Sequence, residues 1–134
     1  MNFLLDSNVW VALLRGTKPQ VAARFRAAPS GNLRVCSVIV AELRYGCVRS
    51  AKPAANRAAV DALLAPYPSL PFDDASVDSF VTIRRHLESL GTPIGPYDLQ
   101  IAAIALTNGC TLVTHNQAEF SRVPALLLDD WETP

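Results

Sequence analysis

The chain carries no net charge, no paired-cysteine pattern, no long apolar segment and no repeat or low-complexity tract. Its three cysteines, Cys36, Cys47 and Cys110, are odd in number and lie 11 and 63 residues apart. That spacing fits neither a disulfide framework nor a C-x-x-C zinc site, so they read as reduced, packed side chains. The apolar opening from Met1 to Leu5 lacks a basic flank and breaks at Asp6, which suits neither a secretion signal nor a spanning helix. The expected setting is cytoplasmic, with no membrane contact.

What is present is one domain's worth of chain. At 134 residues, folding removes roughly 65–70% of the surface from water, enough for a core without metal or disulfide staples. The charges balance overall but not along the chain. Residues 1–60 hold nine Lys or Arg and two acids, whereas residues 61–134 hold three Arg and ten acids. Such asymmetry suggests a basic surface from the first half, facing a phosphate backbone or an acidic partner. The alternative is that folding interleaves the halves and the polarity vanishes.

Short apolar runs alternate with helix-period stretches. Phe3 to Leu5 reads as a strand, followed by a buried helix over Val9 to Leu14 that Asp6 or Ser7 can cap. A second helix is expected over 19–28, then a strand at Leu33 to Cys36. Ser37 is a plausible cap for a helix from Val38 to about Val48, and another helix covers Ala54 to Ala65. Pro66, Pro68 and Pro71 mark an irregular connection. Asp73 or Asp74 then opens a helix whose stripe is Val77, Phe80, Ile83, Leu87 and Leu90, closed by Gly91. A nearly all-apolar helix runs from Pro96 through Asn108, and Thr111 to Thr114 and Leu126 to Leu128 are the last strands. Strands separated by helices imply a three-layer α/β/α sandwich with a mostly parallel central sheet.

In open parallel sheets, ligands bind beyond the carboxyl ends of the strands. Asp6-Ser7-Asn8 leaves the first strand, His115-Asn116 leaves the strand ending at Thr114, and Asp98 lies in a helical first turn. Asp6 alone reads equally as a helix cap, and Asp98 alone as a complement to the helix dipole. Glu42 is flanked by Ile39, Val40, Ala41 and Leu43 with no base on its own face. An acid held against a core needs a cation or a raised pKa. Three such carboxylates at element ends suit a hard divalent cation, which can polarise a phosphoryl oxygen and acidify a water. Spacing alone does not establish that they converge.

Four ordered motifs carry a resemblance across essentially the whole chain. They are Asp6-Ser7-Asn8; Ala41-Glu42-Leu43-Arg44-Tyr45-Gly46; Ile94-Gly95-Pro96-Tyr97-Asp98 with Ile101-Ala102-Ala103; and Leu112-Val113-Thr114-His115-Asn116 with Glu119-Phe120. With the closing Leu128-Asp129-Asp130-Trp131, they resemble the PIN-domain ribonucleases, specifically the VapC toxins. The resemblance implies a single PIN domain over 1–134 and a Mg²⁺- or Mn²⁺-dependent endoribonuclease. It also implies a homodimer, a cognate VapB-type antitoxin and a higher hetero-oligomer with that antitoxin. Asp6, Glu42 and Asp98 match the family's metal-binding and catalytic acids, and Ser7 and Thr114 its supporting polar positions. Asn116, carried over as catalytic, stands where many members have a fourth acid, and contributes no charge; Glu119, three residues later, could supply an acid from farther out. The His-Asn, Glu-Phe and Asp-Trp elements look like toxins that cut initiator tRNA in its anticodon stem-loop.

Specific RNA cleavage needs a splayed loop and basic contacts, for which Arg15, Lys18 and His115 are the candidates, with Arg24, Arg26, Arg49 and Lys52 as further phosphate contacts. His86 reads as helix surface, and Trp10 and Trp131 as packing or dimer surface. A signalling receiver would need paired acids after the first strand and a late lysine, and none follows Lys52. A haloacid-type phosphatase would need an acid at Asn8. A catalytically inactive PIN-like protein-binding module is the remaining alternative, favoured by Asn116.

Overall fold

The computed structural model of the chain describes residues 1–133. Five strands, β1 (Asn2–Leu5), β2 (Leu33–Cys36), β3 (Ser69–Leu70), β4 (Cys110–Val113) and β5 (Leu128–Asp129), form one sheet ordered β3-β2-β1-β4-β5. Every pairing is parallel. The connections are helical: α1 (Ser7–Arg15) and α2 (Pro19–Ala27), then α3 (Ser37–Val48) and α4 (Pro53–Leu64), then α5 (Asp74–Ser89) and α6 (Pro96–Thr107), and finally α7 (Gln117–Phe120). Right-handed crossovers moving outward from β1 to β3 cover one face with α1 to α4, and the reverse movement to β4 and β5 covers the other with α5 to α7. This is the expected three-layer α/β/α sandwich. The strand order reverses at β1, between β2 and β4, and a crevice opens at such a switch point.

The core explains the sequence pattern. Leu4, Leu5, Leu112 and Val113 are fully buried, as strands covered on both faces require. Ile101 to Ala105 of α6 are likewise inaccessible, so this all-apolar helix is a central packing element. Trp10 is fully buried, donates its indole N–H to the Leu5 carbonyl at 3.0 Å, and packs against Phe25 and Tyr67. It locks α1 to the end of β1. Trp131 is also buried, against Phe3 and beneath the Arg24 guanidinium, so both tryptophans are packing residues. All three cysteines are free and buried, as expected.

Several local expectations change. Cys36, not Ser37, occupies the position before α3, and it makes no side-chain cap. The irregular proline connection contains β3, whose two residues pair with Val35 and Cys36. In α5 the buried stripe runs through Ser76, Ile83 and Leu87, so Val77 lies off the packed face and is exposed, as is Leu90 at the C-cap. The last strand falls at Leu128–Asp129 rather than 126–128. Short α7 was not expected. Gly91 does close α5: its φ is +70°, its N–H bonds the Glu88 carbonyl and Thr92 N–H bonds that of Leu87, a Schellman arrangement.

Trp10→Ala is expected to lower unfolding free energy by about 3–5 kcal/mol, the range for truncating a buried Trp. Urea denaturation measures it, and a loss below about 1 kcal/mol would show that Trp10 does not anchor α1.

Candidate active site

The switch point places β1 and β4 side by side, so the residues that follow them meet. Asp6 extends the ladder by donating its backbone N–H to the Val113 carbonyl at 3.0 Å. Its side chain then turns into the crevice. One carboxylate oxygen accepts the Ser7 N–H at 2.8 Å, so Asp6 is also the cap of α1. The other accepts the Thr114 hydroxyl at 2.9 Å. Thr114, almost fully buried, in turn accepts the Asn116 N–H at 3.1 Å. Burial raises the Asp6 pKa, and the Thr114 and Ser7 hydrogen bonds partly offset that.

Glu42 arrives from the middle of α3, where its Oε1 accepts the Ser7 hydroxyl at 3.0 Å. The expectation that it is pressed into the core is corrected. Glu42 is an exposed residue, because Ile39, Leu43 and Cys47 form the buried face of α3 and Glu42 projects from its rim. Its pKa is nonetheless raised, by desolvation of the carboxylate end and by the Asp6 charge, against the Ser7 hydrogen bond. Arg44 points elsewhere and pairs with Asp61.

Asp98 enters from the first turn of α6, half-buried. Its carboxyl is pushed up to about 7, first by burial, then by a hydrogen bond shared with Glu119 and by the charges of Asp6, Glu119 and Glu42. The structure therefore draws Glu119 into the cluster as a fourth acid, from α7. Asn116 lies beside it and donates its amide N–H to Glu119 Oε2 at 3.4 Å. The missing negative charge at Asn116 is thus replaced one helical turn later. Cys36, at the end of β2, feels the same acids, and burial pushes its thiol up to about 11.

Among the described residues, no Lys, Arg or His forms an ion pair with Asp6, Glu42, Asp98 or Glu119; every ion pair lies elsewhere. Four convergent carboxylates, of which Asp6, Glu42 and Asp98 have raised pKa values, with no cation of their own, fit a hard divalent ion. Of the expected substrate contacts, Arg15, Lys18 and His115 share one open cleft of about 540 Å³ with Asn8, Asn116 and Glu132. Within it Lys18 is paired with Glu132, and His115 Nδ1 lies 2.9 Å from Asp130. His115, Asp130 and Glu132 place one potential ligand atom each within 4.8 Å of one another. Neither Asp130 nor Glu132 was singled out as a site residue, because only the fold brings the C-terminal segment beside β4. Asp130 has a lowered pKa: burial raises it, but the Glu132 N–H, the Thr133 hydroxyl and His115 outweigh that. Arg24 is bound to Asp129, and His86 is exposed as expected.

The PIN-domain family profile matches residues 3–126. The chain is 33% identical over 131 residues to the tRNA(fMet)-specific endonuclease VapC of Shigella flexneri and 32% identical over 131 residues to that of Salmonella typhimurium, with 98% of each chain covered in both cases. Its fold superposes on DNA-bound VapBC from Salmonella typhimurium with a TM-score of 0.91, at 31% identity and 98% coverage of both chains.

With divalent ions chelated, the native state binds an Asp98 proton that the unfolded chain, with a carboxyl near 3.9, has released between about pH 4 and 7. The unfolded state then binds fewer protons, so stability falls as pH rises through that window. Asp6 and Glu42 act in the same direction, and Asp130 in the opposite one only below about pH 4. Thermal melting in EDTA is expected to give a higher Tm at pH 5.5 than at pH 8, with a smaller difference in Asp98→Asn. Parallel pH profiles for the two proteins would contradict the assignment.

Proposed function

The chain belongs to the PIN-domain family, and from that premise we propose that it is the endoribonuclease toxin of a VapBC-type toxin–antitoxin pair, cutting tRNA at the four-carboxylate crevice. The observation that carries this reading is the convergence of Asp6, Glu42, Asp98 and Glu119 without a basic partner, in a chain one-third identical to tRNA(fMet)-specific endonucleases. Initiator tRNA is accordingly the first substrate to test. A VapB-type antitoxin is the partner, since the similar solved structures are VapBC assemblies from Salmonella typhimurium and Rickettsia felis. The whole chain acts as one PIN unit, working as a homodimer in the cytoplasm and in a larger assembly with its antitoxin. Among the described residues no helix is long and apolar enough to cross a membrane.

Asp6, Glu42 and Asp98 would hold Mg²⁺ (or Mn²⁺), with Glu119 adjoining. When bound, such an ion supplies charge stabilisation at the phosphoryl group and acidifies a water. The chain's own groups do the rest. Thr114 and Ser7 fix the orientations of Asp6 and Glu42 through hydroxyl donors, without neutralising either. Glu119, hydrogen-bonded with Asp98, is placed to take the proton of the attacking water as the water oxygen bonds to phosphorus and the P–O bond to the ribose oxygen breaks, and to return a proton to that departing oxygen. Asn116 steers Glu119. Arg15, Lys18 and His115 line the adjoining cleft and serve the RNA backbone there. The inactive-module alternative rested on Asn116, and Glu119 beside Asp98 removes that support.

Incubation of total tRNA with the purified protein tests the proposal. Cleavage is expected with Mg²⁺, none with EDTA, and a loss on the order of 100-fold or more in Asp6→Ala or Asp98→Asn, since even residues that only orient metal ligands are worth 10–100-fold. Undiminished cleavage in either folded variant would exclude the carboxylate mechanism. Thr114→Val is expected to retain the fold while losing roughly 10–100-fold in activity, measured on the same substrate.

A further inference from the structure

Beside the carboxylates, between α3 and the start of α6, lies a mostly apolar groove of about 800 Å³ whose walls include Val38, Glu42, Tyr45, Phe72, Tyr97 and Gln100. Glu42 belongs to both the groove and the acidic cluster, so the two are continuous. Tyr45 follows Glu42 by three residues on α3, one turn along the same face, and Tyr97 immediately precedes Asp98. Both rings stand largely in water, at 63% and 64% exposure, although large aromatic side chains usually bury their faces. Among the described residues neither hydroxyl has a hydrogen-bond partner, and neither does the Gln100 amide. The Arg49 guanidinium lies over the Tyr45 ring, 5.6 Å from its centroid, and brings a positive charge beside it.

We propose that this groove receives unpaired nucleotides flanking the scissile phosphate, with Tyr45 and Tyr97 as stacking platforms for their bases. The inference rests on the ribonuclease reading and names how that substrate is gripped. Sequence-tolerant recognition of single-stranded RNA needs aromatic faces beside a site that handles the backbone. Here two such faces adjoin the acids along the chain itself, so a base held on either ring brings its own phosphate toward the cluster. Gln100, with a donor and an acceptor, is available to a base edge. Gripping loop nucleotides this way favours a substrate whose bases are already unstacked over a continuous helix.

The test places Tyr45→Leu and Tyr97→Leu, and separately Trp at each position, in a cleavage-blocked Asp98→Asn background with Mg²⁺ present. The probe is a single-stranded RNA carrying 2-aminopurine at successive positions. Asp98→Asn alone is expected to quench the fluorescence at one or two positions; each Leu variant weakens binding roughly tenfold, as one lost stack implies, and abolishes one quenched position, while Trp restores it. In the otherwise wild-type enzyme the Leu variants raise KM more than they lower kcat, the pattern of an interaction made equally in ground and transition states. Leu variants that fold, bind the probe within twofold of their parent and keep KM would overturn the groove assignment while leaving the ribonuclease reading intact. Loss of self-association or antitoxin binding in place of RNA binding would do the same, assigning the groove to protein. If wild-type protein neither binds nor cleaves RNA, both readings fall together.

Discussion

Four carboxylates crowded at the end of a sheet repel one another, and in a partly dry crevice that repulsion is screened less than in water. The rest of the site follows from how the fold bears this. Among the described residues no basic side chain forms an ion pair with any of these acids. Instead Ser7, Thr114 and Asn116 donate hydrogen bonds that orient Asp6, Glu42 and Glu119 while leaving their charge in place. Proton affinity is the other outlet, visible in the raised pKa of Asp98 and its shared hydrogen bond with Glu119. A scaffold of this kind carries an electrostatic penalty that a bound cation relieves.

That penalty needs a rigid frame. Asp6 continues the β1–β4 ladder before its side chain diverges, Trp10 ties the next turn back to Leu5, and Thr114 is almost inaccessible between them. These groups cannot swing apart without breaking buried packing. Asp98 is held differently, in the first turn of α6, where the helix dipole favours a negative charge. Glu42 and Glu119 sit on helical rims nearer solvent. The crevice thus has a fixed floor of Asp6 and Thr114 and more accessible walls, which suits a site that must admit a large polyanion from one side.

Strand and helix identities were legible because parallel strands covered on both faces must be continuous apolar runs, as at Leu112–Val113, and because proline and glycine punctuate the helices. Asp6 and Asp98 were legible as acids at element ends. Convergence was not: nothing in the local pattern states that α3, α6 and α7 present their acids to one crevice. Glu42 shows the limit of local reasoning. Its apolar neighbours suggested burial, yet Ala41 is itself exposed, and Ile39 and Leu43 turn into the core beside Glu42 and leave it at the rim. The two-residue strand β3 escaped notice between prolines, because so short a pairing leaves no periodicity to read. Asp130 and Glu132 were silent because their partners, His115 and Lys18, lie 15 and 114 residues away along the chain.

The basic first half and acidic second half also take on meaning only in the fold. Lys18 and Arg24 are bound by Glu132 and Asp129, while Arg44 and Arg57 share Asp61. The charge asymmetry along the chain is in part a folding device that clamps the C-terminal segment, through Trp131 under Arg24, onto α2. A protein with zero net charge, in which five of the twelve Lys and Arg are held in ion pairs among the described residues, gains less from counterion release, the term that dominates non-specific nucleic-acid binding. Recognition has to be local, made of shape and a few close contacts around the crevice. For a nuclease this is an advantage: weak general attraction leaves most RNA alone, and selection falls to shape and close contacts.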